Sequence, residues 1–201
     1  MSEPARMEDE RTRPPALEVR VGSATNALQP IPGAQRSLAA GTAQWVELLV
    51  VALAAAAADQ LTKAIVSSQL VLGDAVEILG PLSIHHVQNT GIAFGLFAGS
   101  TSIVIVLTAT AITALVVFFG RSARRHPLLP VAVGLVLGGS ISNLVDRLRL
   151  GHVTDFLDFD YWPAFNLADT FIVVGVALLF LCFVAADRSS ATVGTSPLSR
   201  L

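Results

Sequence analysis

Asp155 and Asp169 lie on either side of an aromatic stretch that contains Phe156, Phe159, Tyr161, Trp162 and Phe165. A carboxyl group beside a lipid boundary is costly to ionise, so two in one short segment point to acid and base chemistry at a membrane edge. Asp158 and Asp160 lie in the same stretch, and spacing alone does not choose among the three acids before Asp169. Asp169 also has a purely structural reading, because an acid in the first turn of a helix complements the macrodipole. A second constellation is Asn143, Asp146 and Arg147, one helical turn apart, which suits either an ion-paired helix end or the binding of a polar backbone. A third is Asp59 with Lys63, four residues apart on one helical face.

Other chemistries find less support. His85 and His86 are adjacent, so in a strand they point to opposite faces, while His126 and His152 stand apart from them. No zinc-type ligand spacing results, and neither a metal nor a cofactor is expected. Ser100, Thr101 and Ser102 lack a nearby base that could make one of them a nucleophile.

The elements that must position these groups are membrane helices. The chain has 201 residues, of which 53% are hydrophobic and 14% charged, and a mean hydropathy of +0.65, which excludes an ordinary soluble protein. The apolar residues fall in blocks near the length that crosses a bilayer. We read an all-α membrane protein with four spans at about residues 45–66, 101–119, 130–147 and 167–186. Between the first two, residues 70–99 carry short apolar runs bounded by Gly73, Gly80-Pro81, Gly91, Gly95 and Gly99, which predicts a small outward β-rich lobe resting on the membrane. The aromatic segment before the fourth span belongs at headgroup level. Asn166 is placed to cap that span, with Asp169 at its N3 position.

Arg121, Arg124 and Arg125 cluster between the second and third spans, and five arginines precede the first. The positive-inside rule then puts both termini in the cytoplasm and two loops outside. Residues 1–43 mix proline, glycine and both charge signs without apolar period and read as a disordered cytoplasmic tail; residues 188–201 read as a second tail. No cleavable leader is evident, so the first span is expected to target the chain and stay. Cys182 is the only cysteine, and its place inside the fourth span fits a small packing residue.

Taken in order, Asp59-Gln60-Leu61-Thr62-Lys63, Asn89-Thr90-Gly91-Ile92-Ala93-Phe94-Gly95, Gly138-Gly139 with Asn143-Leu144-Val145-Asp146-Arg147, Val153-Thr154-Asp155-Phe156 and Phe165-Asn166-Leu167-Ala168-Asp169 resemble the motifs of lipoprotein signal peptidase, or signal peptidase II, a bacterial membrane aspartyl protease. The resemblance covers roughly residues 45–186, so the peptidase domain is taken as residues 44–187. It implies that Asp155 and Asp169 are the catalytic pair, and supporting roles for Asp59, Lys63, Asn89, Gly139, Asn143, Arg147, Asn166 and Ala168. Phe94 and Trp162 are candidates for a lid or membrane anchor. Ser142 departs from the pattern, which usually has glycine before the asparagine.

The implied substrates are diacylglyceryl-modified prolipoproteins, cut just before the lipidated cysteine by a monomer in the bacterial cell membrane that contacts membrane lipids and no nucleic acid. Two rivals from other classes remain. A proton-coupled transporter would spread ionisable residues through the bilayer depth, and a membrane scaffold would not need Asn, Asp and Arg to converge.

Overall fold

The computed structural model describes residues 39–91, 100–124, 126–159 and 161–193, with side chains followed to Ala185. The two tails as far as residue 38 and from residue 194, together with Phe94, Gly95 and Asp160, lie outside the described residues. The elements run α1 (Thr42–Gln69), β1 (Ala75–Leu79), β2 (Leu82–Asn89), α2 (Thr101–Ser122), α3 (Leu129–Leu150), β3 (Val153–Phe159), β4 (Trp162–Phe165) and α4 (Leu167–Val193). All four helices are long and apolar enough to cross a membrane.

Their ends follow local chemistry. The Gly41 N–H donates to Gln44 Oε1 at 3.0 Å, so a glutamine at N3 reaches back to satisfy a free donor at the start of α1. Pro130 sits in the first turn of α3, where its missing N–H costs nothing. Gly151 closes α3 in the left-handed conformation at φ 80°.

Helix α3 is the axis of the bundle. It packs extensively on α1 and α4, and less on α2. Small residues allow this: a Cβ on Gly138 would lie 2.5 Å from Ala52 O of α1, and one on Gly139 would lie 2.4 Å from Ala168 O of α4. Only glycine lets those backbones meet, which is the usual means of helix association in lipid. At the opposite end from the sheet, Leu48, Phe119, Ala123, Leu129, Val133 and Leu137 form a buried apolar cluster, against which Trp45 meets Phe119 edge-on at 4.9 Å.

The strands form one antiparallel sheet in the order β1-β2-β3-β4. β1 and β2 fall on the glycine-bounded runs that predicted them, and Gly80 at φ 54° turns the chain between them. The lobe is larger than the sequence indicated, because the aromatic segment after α3 supplies β3 and β4. Its register pairs Leu82 with Phe159, Val87 with Asp155 and Asn89 with Val153. Pairings between strands so far apart in the chain leave no local signature. A bulge at His85–His86 shifts that register on the approach to Asp155.

Candidate active site

The sheet and the start of α4 bring Asp155 and Asp169 to one cavity of about 780 Å³. Asp155 sits on β3 and is 1% exposed. Its Oδ2 accepts from Asn89 Nδ2 at 2.9 Å and its Oδ1 from Asn166 Nδ2 at 2.7 Å. Burial pushes its pKa up to about 6; the Asn89 donor opposes that shift, Asp169 reinforces it, and Asn166 and Lys63 oppose it further.

Asp169 holds the helix-start geometry expected of it, in reciprocal form. Its N–H donates to Asn166 Oδ1 at 3.0 Å, and its Oδ2 accepts the Asn166 N–H at 3.3 Å, a capping box built from Asn and Asp. Its other oxygen, Oδ1, accepts from Asn143 Nδ2 at 2.8 Å, and Asp169 lines the cavity. Capping and membership of the site are therefore compatible. Asn166, fully buried, touches both acids.

The supporting residues converge on the same place. Asn89 also accepts the Gly91 N–H through Oδ1 at 3.0 Å, while Arg147 Nη2 donates to Gly91 O at 2.7 Å, so the two side chains grip one backbone unit from both ends. Arg147 lines the cavity, and among the described residues nothing accepts from its buried Nε. Gly139 admits the first turn of α4, and Ala168 contributes its N–H to Asp59 Oδ1 at 2.9 Å.

Lys63 lies 2.7 Å from Asp59 Oδ2 and 2.7 Å from Asp146 Oδ2, with all three side chains at most 5% exposed. Asp59 and Lys63, placed on one helical face by their spacing, thus form an ion pair. Asp146 turns to α1 rather than to its neighbour Arg147, since consecutive helical residues point about 100° apart. Breaking such a buried cluster by removing one member costs about 3–5 kcal/mol.

Gln60 was missed by the sequence reading. Its Nε2 donates to Asp146 Oδ1 at 2.7 Å and to Ser142 Oγ at 3.0 Å. The signal that could have found it is an uncharged polar side chain in an apolar span, next to Asp59. Ser142, the departure from the pattern, is 1% exposed and donates from Oγ to Asp59 Oδ2 at 2.7 Å.

Some residues do not join the site. Asp158 instead meets His85 Nδ1 at 2.7 Å, each about 30% exposed. His86 Nδ1 approaches Leu70 O at 3.0 Å, so the two histidines part company. Cys182 Sγ lies 3.3 Å from His126 Nδ1, away from the cavity lining. Trp162 does line the cavity.

A model of the signal peptidase (SPase) II family matches residues 51–185. The lipoprotein signal peptidase of Symbiobacterium thermophilum is 40% identical over 146 residues, which is 70% of this chain and 95% of that protein. The lipoprotein signal peptidase of Halothermothrix orenii is 38% identical over 61% of this chain and 85% of that protein. Two solved structures, each described as a bacterial membrane enzyme, share the fold. One, determined at 2.3 Å, has a TM-score of 0.65 and 27% identity over 76% of this chain and 94% of its own. The other, at 1.9 Å, has a TM-score of 0.62 and 30% identity over 68% of this chain and 91% of its own. With Asn89, Asn143, Arg147, Asp155 and Asp169 of those motifs meeting at a cavity walled by α2, α3, α4 and the sheet, in a chain with four membrane-length helices among the described residues, the chain belongs to the lipoprotein signal peptidase family, signal peptidase II, and so to a family of membrane proteases.

Proposed function

We propose that this protein is an aspartic endopeptidase that removes the signal peptide from diacylglyceryl-modified prolipoproteins, cutting just before the lipidated cysteine. The observation that carries this reading is the pair Asp155 and Asp169 in one cavity wall, joined through Asn166. Two carboxyls that share a site do not readily both ionise, so the pair titrates as a unit and holds one proton over part of the pH range. The ionised member takes a proton from water as that water attacks the scissile carbonyl. The protonated member donates to the carbonyl oxygen and later assists departure of the amine. No covalent intermediate forms.

The cavity suits a lipid-linked peptide. Val104 and Thr108 of α2 face Ile172, Val173 and Val174 of α4 across it, and Val173 and Val174 are exposed on the surface that lipid would cover. A signal helix and acyl chains can therefore enter sideways between α2 and α4, while Asn143, Arg147 and Asn89 offer the few polar contacts that orient the backbone. Exposed Leu61 and Ile65 of α1 lead to exposed Val71, Leu72, Ile78 and Leu79 of the lobe, and Tyr161 and Trp162 are exposed beside it. Those exposed apolar side chains support a lobe lying in the outer interface, and the arginines before α1 and between α2 and α3 support termini on the cytoplasmic side.

The test uses the purified chain in detergent with a diacylated prolipoprotein. Asp155→Asn and Asp169→Asn are each expected to slow release of the signal peptide by about 10³-fold while leaving the fold intact. Cleavage by either variant at near the native rate removes the proposed mechanism.

A further inference from the structure

We infer that Lys63 is a positioning residue that sets which end of the Asn143 side-chain amide meets Asp169. A primary amide has a donor end and an acceptor end, and rotation by half a turn exchanges them in nearly the same volume. Shape therefore does not choose between them, and partners must. Asn143 Oδ1 receives Lys63 Nζ at 2.8 Å and Asn166 Nδ2 at 3.2 Å. Its Nδ2 is left to donate to Asp169 Oδ1 at 2.8 Å. The reversed amide would set N–H against ammonium and a carbonyl oxygen against a carboxyl.

The ammonium can impose this choice because its own position is fixed. It has three N–H donors and no acceptor. It lies 2.7 Å from both Asp59 Oδ2 and Asp146 Oδ2 as an ionic contact, Asp146 Oδ2 accepting no hydrogen bond among the described residues, and it donates to Asn143 Oδ1 at 2.8 Å. Each carboxyl is held in turn: Ser142 Oγ and the Ala168 N–H donate to Asp59, and Gln60 Nε2 donates to Asp146. Gln60 and Ser142 thereby acquire a role in the same device. Ala168 immediately precedes Asp169, so the cluster that orients the amide also anchors the helical turn that presents the acid.

The catalytic part of this inference rests on the proposed reading of Asp169, whereas the amide orientation does not, and two measurements separate them. The chain contains four asparagines, Asn26, Asn89, Asn143 and Asn166, so asparagine-selective ¹⁵N labelling gives few side-chain amide pairs to assign. In Lys63→Met, the Asn143 pair should move and exchange faster with solvent, with the Asn89 pair unchanged. On a diacylated prolipoprotein, kcat of the same variant should fall about tenfold or more, as for loss of a hydrogen bond to a charged group, with KM within about twofold. Lys63→Arg, which keeps a cation with donors, should restore most of kcat. A purely structural lysine would lower thermal stability and yield but leave kcat of the folded fraction unchanged. An unmoved Asn143 pair overturns the inference whatever the activity, and a moved pair with native kcat overturns the positioning role. If the unaltered protein does not cleave the lipidated substrate, the proposed function falls, and the amide spectrum still decides the orientation.

Discussion

Helices α2 and α3 reverse the rule that holds in water. The most hydrophobic stretch of α2 has a mean hydropathy of 2.6 and only 11% of it is buried; the corresponding figures for α3 are 1.5 and 61%. Besides Leu129, Pro130, Val133 and Leu137 towards its start, α3 buries Ala132, Gly134, Gly138, Gly139, Ser142, Asn143, Asp146 and Arg147, whereas α2 buries Val104, Phe119 and Ser122. In lipid there is no reward for hiding leucine, so the interior goes to residues that let backbones touch or that need polar partners. The helix with more small and polar residues is the one at the centre.

That contrast can be broken most sharply at Gly139. Gly139→Val should push the first turn of α4 off α3, since even a methyl group would reach 2.4 Å from Ala168 O. Overpacking costs about 1–3 kcal/mol where side chains can yield, and backbone cannot, so thermal stability in detergent and peptide release should both drop. A stable, active Gly139→Val would mean that α3 and α4 need not meet so closely. A smaller effect follows from Asp155. Its raised pKa means that the folded state takes up a proton where the unfolded chain is still ionised. The cost of burying its charge is thus absent below about pH 4, grows between roughly pH 4 and 6, and is complete above that. The native protein should lose more stability across that window than Asp155→Asn does, read from melting temperature against pH; equal slopes would argue that Asp155 is better solvated than its surroundings indicate. The smallest change belongs to α2. Leu107 is 53% exposed, so Leu107→Ala should shift stability by no more than about 0.5 kcal/mol. A large loss there would give α2 a packing partner that the bundle does not show.

The same contrast explains what could be read without coordinates. Apolar blocks near 20 residues long betrayed the four helices, and glycines bracketed β1 and β2. The join of β2 to β3 could not be seen, because Asn89 and Val153 carry no local sign that they are partners. Asn166 and Asp169 were legible as a helix start because a capping box is local. The partners of Lys63 on α3 were not, because they depend on which faces of two helices meet. The roles of Gln60 and Ser142 were hidden for a related reason: Ser142 stood out only as a departure from the motif and Gln60 not at all, and both gain meaning only from a contact across 82 positions of chain.

The reciprocal bonds between Asn166 and Asp169 have a consequence for time as well as geometry. On the proposed mechanism the acid changes its protonation during each turnover, and the bond it receives from the Asn166 N–H should weaken whenever it is neutral. The end of α4 would then loosen and retighten in step with catalysis. Deuterium uptake at that single amide, compared between idle and turning-over protein, would serve as a built-in counter of proton traffic, read from the backbone and independent of any product assay.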